Sequence, residues 1–257
     1  MIAITVTDVN TNARATSFGV VALDYDKWRP SYPSAAVDWL APPAPARVAD
    51  IGAGTGKLTE LLLARGLDVD AVEPDQRMLT VLRRNNPAAR AHQSDSEHIP
   101  AQDTSLDAVL VADAWHWFEP EPTIREIRRV LKPGGWLGLV WNVVAEPVEP
   151  WELSIGGDSD EYDRQSKGKA AGLTRRLSYF DDDDLEFKQI DWEWELTPEH
   201  RASLLATTSM VIAMDAEDRV NAFERSRVAL QQVCEAHGKQ AMPLRHIASC
   251  VRWTPRS

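Results

Sequence analysis

Residues 48–56 read VADIGAGTG, a short apolar run followed by a loop with glycine at every second position, Gly52, Gly54 and Gly56. An apolar run of this length that ends in a glycine turn and continues into a helical stretch is typical of a strand–loop–helix unit. Glycine has no Cβ and accepts positive φ, so the backbone turns tightly and approaches a ligand closely. The segment therefore predicts a small-ligand site at the end of a buried strand.

Strands and helices alternate outward from this loop. Seven short β-branched runs predict strands, at residues 47–51, 68–73, 90–94, 106–112, 136–142, 185–194 and 245–253. Helical stretches lie between and after them, at residues 57–66, 75–85, 122–131, 198–210 and 216–236. Lys132, Pro133, Gly134 and Gly135 are expected to end the third of these helices. The alternation predicts an α/β fold, a doubly wound Rossmann-like seven-stranded sheet that is mostly parallel with an antiparallel last strand.

One domain with a helical lid is expected from the length of 257 residues. Residues 1–18 lack clear periodicity and are expected to form a partly ordered arm, with the domain over residues 19–257. Within it, residues 19–45 are expected to form an N-terminal cap. Residues 145–184 and 197–238 are expected to cover the substrate.

Three interpretations of the glycine loop compete with one another. A phosphate-binding P-loop needs glycine five positions before Gly56 and Ser or Thr after Lys57, but Ile51 and Leu58 stand there. A dinucleotide fingerprint needs its third glycine one position later than here, which weakens that interpretation without abolishing it. A merely tight turn between strand and helix is the third, and the loop alone does not exclude it.

Glu73, in the run Ala71-Val72-Glu73-Pro74-Asp75, ends the second predicted strand. A carboxylate at the carboxyl edge of the strand beside the first can accept hydrogen bonds from both ribose hydroxyls of an adenosine ligand. The alternative is an acid that only stabilises the N-terminus of the next helix. In the first case the two motifs together indicate a nucleotide-like sugar without phosphate.

The net charge and the composition limit the classes of substrate and partner that are expected. The net charge is −11 at a pI near 5.0, so the surface potential disfavours DNA or RNA as substrate. Two cysteines in the chain argue against a disulfide scaffold. The sequence shows neither a secretory signal nor an apolar run that spans a bilayer. We expect a cytoplasmic protein with a small-molecule substrate and no nucleic-acid or membrane partner, either a monomer or a homodimer.

Five motifs in order carry a family resemblance. The runs are DIGAGTGKLT, VEPD, SDSEHIP, DAVLVADAWHWF and RVLKPGGWLGLVWN. Together they resemble the class I S-adenosylmethionine-dependent methyltransferases of the type 11 group. The segment YDKWRPSYP at residues 25–33 resembles the N-terminal segment of the subgroup that includes trans-aconitate methyltransferases. The resemblance is strong over residues 18–142 and loose beyond them, and it implies S-adenosylmethionine as cofactor and S-adenosylhomocysteine as product.

Residue roles follow from this resemblance only where the motifs align. The resemblance implies that Glu73 holds the ribose, that Asp95 and Ser96 hold the adenine, and that the methionine part lies on Asp50, Gly52, Ala53, Gly54 and Gly56. Pro74 follows the ribose acid in the same motif, and Ser94 stands where the family more often has glycine. Tyr25 and Arg29 would close over the cofactor, with ordinary surface packing as their alternative.

The residues that face the transferred methyl group are expected at the end of the fourth strand, in the run Asp113-Ala114-Trp115-His116-Trp117-Phe118. His116 is the first candidate for a general base and Asp113 the second. The favoured alternative is that His116 orders the loop while Trp115 and Trp117 pack. A carboxylate acceptor needs no base, whereas a hydroxyl or amine is helped by one.

Two groups of residues and the function itself have alternative interpretations. Trp141 and Trp151 would form an apolar wall or belong to the core. Cys234, His237, His246 and Cys250 are possible zinc ligands, but the predicted helix and strand separate them, so no metal is predicted there or at residues 181–184. A nicotinamide-dependent oxidoreductase and a catalytically silent module that binds S-adenosylmethionine are the alternative functions.

Overall fold

A seven-stranded mixed sheet forms the centre of the molecule. The computed structural model describes residues 22–147, 149, 151–152, 177, 179–180, 184–208, 211 and 214–256. The strands are β1 (Arg47–Ile51), β2 (Asp68–Val72), β3 (Arg90–His92), β4 (Leu106–Ala112), β5 (Leu131–Val144), β6 (Leu185–Leu196) and β7 (Met242–Trp253). Their order is β3-β2-β1-β4-β5-β7-β6.

The sheet is parallel except at β7. Strands β1 to β5 pair in parallel, and β7 lies antiparallel to both β5 and β6. The predicted fold class is therefore confirmed, including the antiparallel last strand. Because β1 to β5 run in one direction, their carboxyl ends meet at one edge of the sheet, where doubly wound folds bind their ligands.

Helices cover both faces of this sheet. Those described over more than one turn are α1 (Ala22–Trp28), α2 (Ser34–Leu40), α3 (Lys57–Leu63), α4 (Gln76–Asn85), α5 (Pro120–Val130), α6 (Pro198–Leu205) and α7 (Ala216–Ala236). Val48 of β1 faces α2 and α3, whereas Ala49 and Ile51 belong to the cluster that includes α5. The two-residue alternation of the buried strand thus divides the core between the two faces.

Side-chain caps mark the N-termini of three of these helices. The Asp75 carboxylate accepts hydrogen bonds from the backbone N–H groups of Arg77 and Met78 and so caps α4. Thr197 and Asp215 cap α6 and α7 in the same way. In the part of the chain that is described, no helix is both long and apolar enough to cross a membrane.

The segment from Lys132 to Gly135 corrects one expectation. It was predicted as a turn that ends the preceding helix, yet the strand β5 already begins at Leu131. Leu131 pairs with Leu106 and the next pairing joins Trp136 to Ala108, so the segment bulges out of the strand. Gly134 takes a φ of +80° within that bulge.

Other predicted boundaries also differ from the observed ones. The helix predicted to reach residue 210 ends at Leu205, and the last strand begins at Met242 instead of residue 245. The predicted arm at residues 1–18 lies outside the described residues. So do most of the predicted substrate-covering segment at 145–184 and residues 181–183 of the acidic run.

Candidate functional site

The glycine loop, residues 52–56, follows β1 at the carboxyl edge of the sheet. All three of its glycines take positive φ, with +67° at Gly52, +58° at Gly54 and +91° at Gly56. A Cβ on Gly52 would lie 2.7 Å from the Cβ of Ala114, and one on Gly56 would collide with Asn86. Two of the three glycines are therefore required by the protein's own packing, in addition to the backbone conformation.

Gly54 differs from its neighbours in the loop. A Cβ built on Gly54 would meet no atom within 4 Å, so the space above it is open. Thr55, the next residue, is buried, and its Oγ1 has no hydrogen-bond partner in the described part of the chain. The loop thus presents backbone to an open space, as a ligand-binding turn requires.

Glu73 connects the loop to the end of β2. Its Oε2 accepts a hydrogen bond from the backbone N–H of Gly54 at 2.8 Å, and its Oε1 accepts one from Asp75 at 2.9 Å. The side chain is 7% exposed, and this burial raises the pKa of Glu73 above its usual value. Asp75 provides the side-chain cap of α4, and Glu73 binds the backbone N–H of that cap residue, so both predicted roles of Glu73 stay predictions.

Asp50 lies beneath the loop instead of lining it. Its carboxylate is 1% exposed and accepts a hydrogen bond of 2.6 Å from the hydroxyl of Thr59 in α3. Burial raises the pKa of Asp50 to about 7, and the bond from Thr59 lowers it in part. In the structure this side chain therefore ties β1 to α3 under the glycine turn.

The residues predicted for the adenine lie after β3. The Asp95 carboxylate is exposed and accepts a hydrogen bond from the backbone N–H of Glu97, and it pairs with His98 at 2.8 Å. Ser96 is buried, with its Oγ bonded to the Oγ1 of Thr123 at 2.9 Å. Pro74 O accepts a hydrogen bond from the side-chain amide of Gln93. The Ser96 hydroxyl thus points to a partner within the protein.

The cap is defined as residues 22–33 together with residues 198–208, two segments that contact each other through Arg29 and Thr207. Tyr25 in α1 is half-buried, and the burial of its hydroxyl raises the pKa of that group; Arg29 lowers the pKa, and Asp113 and Glu73 raise it further. Tyr25 therefore lies near both strand-end acids. The Arg29 guanidinium donates to the Oγ1 of Thr207 at 3.0 Å and to its carbonyl at 2.9 Å.

Asp113 and His116 follow β4, as predicted. Asp113 has a φ of +51°, which is uncommon for a residue with a Cβ, and its N–H donates to Val140 O. Its carboxylate accepts a hydrogen bond of 3.0 Å from the hydroxyl of Tyr32. His116 belongs to a single 3-10 turn, and its ring centroid lies 4.7 Å from that of Trp117.

Sequence reasoning missed Tyr32, Asn142 and Thr207. Tyr32 lies within the quoted segment YDKWRPSYP, but nothing in that string indicates a bond to a residue 81 positions away. Asn142 ends the last predicted motif, and its side-chain amide donates to Ser31 O at 3.0 Å. Thr207 lies in a region without a recognisable motif.

Trp141 and Trp151 each pack against an apolar cluster. Trp141 lies against the cluster on the α5 face of the sheet, and Trp151 lies against a separate cluster around Leu196 and Leu230. This packing agrees with the core role that was one of their two predicted roles, and the apolar wall stays a prediction. Among the described residues, no group of three or more His, Cys, Asp or Glu side chains is arranged to hold a metal ion.

Comparisons with known proteins agree with this geometry. Residues 49–139 match the family model described as a methyltransferase domain. An uncharacterized methyltransferase of Mycobacterium tuberculosis is 42% identical over 243 residues, which cover 93% of this chain and 95% of the relative. The malonyl-[acyl-carrier protein] O-methyltransferase of Methylococcus capsulatus is 35% identical over 133 residues, covering 47% of this chain and 48% of that protein.

A solved structure extends the comparison to the fold. The structure of a proposed type II methyltransferase from Anaeromyxobacter dehalogenans superposes with a TM-score of 0.61 at 25% identity. The superposition covers 87% of this chain and 96% of the other.

Proposed function

The chain belongs to the family of class I S-adenosylmethionine-dependent methyltransferases, and we propose that it methylates an oxygen of a small molecule, either a carboxylate or a hydroxyl. The order of the sheet agrees with this family rather than with a nicotinamide-dependent oxidoreductase. The dinucleotide fold has a parallel sixth strand, whereas here the antiparallel β7 lies between β5 and β6.

The observation that most supports this proposal is the open space above Gly54, beside Glu73. Gly54 leaves room for a ligand against the backbone, and the two carboxylate oxygens of Glu73 accept one bond from Gly54 in the loop and one from Asp75 beyond β2. Each of those oxygens has a second lone pair for a hydroxyl donor. The residues present therefore fit an adenosyl ligand whose ribose lies on Glu73.

The remaining roles follow the order of the strand ends. Gly52, Ala53 and Gly54 would support the methionine part of S-adenosylmethionine, with Asp50 fixing the loop from below. When bound, this cofactor supplies an electrophilic methyl group on a positively charged sulfur. Tyr25 lies near Glu73 and Asp113, and so it would exclude water from the side of the cap.

Two observations support a small oxygen acceptor. The net charge of −11 opposes a nucleic-acid substrate. The relative from Methylococcus capsulatus is named as an O-methyltransferase, which favours oxygen as the atom that is methylated here. In-line transfer to oxygen depends mainly on holding the nucleophile and the methyl group close and aligned, which a closed cap provides.

Incubation with methyl-labelled S-adenosylmethionine tests the proposal. The protein would be given a panel of small carboxylic acids, phenols, alcohols and amines, with a folded Gly54→Val variant as the control. We expect label in an ester or ether product that the variant does not form. Label that appears only in amines would contradict the proposed acceptor atom.

A further inference from the structure

The short segment between α1 and α2 contacts the ends of two neighbouring strands. The hydroxyl of Tyr32 donates to the Oδ2 of Asp113, one residue beyond β4, at 3.0 Å. The carbonyl of Ser31 accepts from the Nδ2 of Asn142, near the end of β5, at 3.0 Å. Since Ser31 and Tyr32 are consecutive, one short segment contacts the ends of both strands, at the edge of the sheet that also carries the proposed cofactor site.

The contact from Tyr32 fixes the carboxylate of Asp113. Burial and the adjacent Asp113 raise the pKa of Tyr32 well above its ordinary value, so its hydroxyl keeps its proton and remains a donor. The backbone of Asp113 is fixed as well, since its N–H is bonded to Val140 O while φ is +51°. The carboxylate therefore has a defined direction at the end of β4.

Asn142 provides a second acceptor. Because its Nδ2 is the atom that can donate to Ser31 O, the amide orientation is determined, and Oδ1 lies on the other side. That Oδ1 is buried and has no hydrogen-bond partner in the described part of the chain. A buried acceptor without a partner is unfavourable, and a donor on a bound molecule would satisfy it.

We propose that Asp113 and Asn142 form the methyl-acceptor subsite, that Tyr32 positions Asp113, and that this subsite selects a neutral hydroxyl over an ionised carboxylate. This inference rests on the proposed function and narrows it. Asp113 and Asn142 present hydrogen-bond acceptors, which attract an O–H group and repel a carboxylate. The nearby Arg29 guanidinium is engaged with Thr207, which leaves it poorly placed to bind an acceptor anion.

In the proposed methyl-transfer step, the Asp113 carboxylate accepts the proton of the acceptor hydroxyl. The hydroxyl oxygen of the acceptor forms a bond to the methyl carbon, and the carbon–sulfur bond breaks with its electron pair remaining on sulfur. The hydroxyl proton passes to the Asp113 carboxylate. The products are a methyl ether, a neutral thioether and a protonated Asp113, which returns its proton to water.

Matched pairs of acceptors test the selectivity. With the protein loaded with S-adenosylhomocysteine, saturation-transfer NMR would compare phenol with benzoate and octanol with octanoate. We expect the hydroxyl member of each pair to give at least about a fivefold larger signal. Equal signals, including the absence of both, or a preference for the carboxylates would overturn the inference.

Substitution of Asp113 tests the mechanism. Asp113→Asn removes the proton acceptor and is expected to lower the rate of methyl transfer to a hydroxyl about 100-fold. Its affinity for S-adenosylmethionine should stay within about threefold by calorimetry. The matched control, Glu195→Gln, neutralises an exposed acid of β6 and should leave both quantities unchanged. An unchanged rate in Asp113→Asn would overturn the proposed role.

The Tyr32→Phe variant distinguishes a role of Tyr32 in positioning Asp113 from a role in the stability of the fold. It should lower kcat for a hydroxyl about tenfold while KM and cofactor affinity stay within about threefold, because the carboxylate loses its direction and not its site. A parallel loss of cofactor affinity and thermal stability would instead assign Tyr32 a structural role and overturn this part. If wild-type protein methylates carboxylates in preference to hydroxyls, the proposed function stands and this inference fails. If it binds no S-adenosylmethionine, the proposed function itself fails.

Discussion

The glycine loop and the cap lie at the same edge of the sheet but are held by different kinds of contact. Glu73 reaches Gly54 across 19 residues, and Thr59 reaches Asp50 across 9. In the cap, Arg29 reaches Thr207 across 178 residues. The proposed cofactor contacts of Gly54 and Glu73 lie within one strand–helix–strand unit, whereas the proposed acceptor side depends on contacts between distant segments. A family can therefore keep the first while the second changes with the substrate.

Substituting Gly54 gives the largest expected effect and tests the cofactor side. Gly54→Val places a branched side chain in the open space above the loop, at a φ of +58°. We expect the affinity for S-adenosylmethionine to fall at least about 100-fold, which is about 2.7 kcal/mol. Isothermal titration calorimetry measures this loss.

Gly134→Val is the matched control for backbone strain. Gly134 also has a positive φ, +80°, with no atom within 4 Å of an added Cβ, but it lies at the opposite edge of the sheet. This variant should lose a comparable amount of stability and keep its affinity for the cofactor. Equal loss of affinity in both variants would show that strain, and not the site, explains the result for Gly54.

The contrast between local and long-range contacts also explains which features could be predicted from the sequence. β1 and β4 were predicted with the observed ends, and α7 likewise, because their apolar runs and caps are local. Glu73 was predicted to lie beside the glycine loop because it ends the strand next to β1, and its bond to Gly54 agrees with that placement. The bonds of Tyr32, Asn142 and Thr207 join distant segments, so no local pattern could reveal them. The bulge at Gly134 was missed because Pro-Gly-Gly is also a typical helix-ending turn.

The acid beneath the loop predicts a pH dependence of stability. Burial raises the pKa of Asp50 from 3.8 to about 7, so between these values the native protein holds a proton that the unfolded chain has lost. The free energy of unfolding therefore falls as the pH rises through this window. Asp50→Asn keeps an acceptor for Thr59 and carries no charge, so it should gain stability relative to wild type from about pH 5 to about pH 8.

Urea unfolding of both proteins across this range measures the difference. Thr59→Val should have the opposite effect and make the decline with pH larger, because it removes the bond that lowers the Asp50 pKa. A stability difference between Asp50→Asn and wild type that stays constant with pH would mean that Asp50 is charged in the native protein throughout.

Arg29 tests the cap side of the comparison. In the structure Arg29 donates hydrogen bonds to Thr207, whereas the family resemblance implies that it contacts the cofactor. Arg29→Lys replaces the planar guanidinium, whose two N–H groups bind two atoms of Thr207, with a single ammonium of different reach, and we expect it to lower the free energy of unfolding by about 1 kcal/mol. Affinity for S-adenosylmethionine should change less than about threefold.

Arg65→Lys provides the control for Arg29. Arg65 also makes several bonds, to Asp38, Ser34 and Leu61, but lies outside the cap. Its replacement should cost similar stability and leave acceptor KM unchanged, whereas Arg29→Lys should raise that KM. Unchanged stability of Arg29→Lys together with a large loss of cofactor affinity would restore the role that the resemblance implies.

His116 is expected to give the smallest effect. Its ring packs against Trp117 in a single 3-10 turn, and the carboxylate held in place after β4 belongs to Asp113 instead. A positioned general base contributes about 10²-fold or more to the rate, so a kcat loss of less than about tenfold in His116→Ala would exclude that role. Comparison with Trp117→Leu identifies the cause of a small loss, because a purely packing role predicts similar losses in both variants. A loss of 10²-fold or more in His116→Ala alone would instead make His116 the base and leave Asp113 to orient the acceptor.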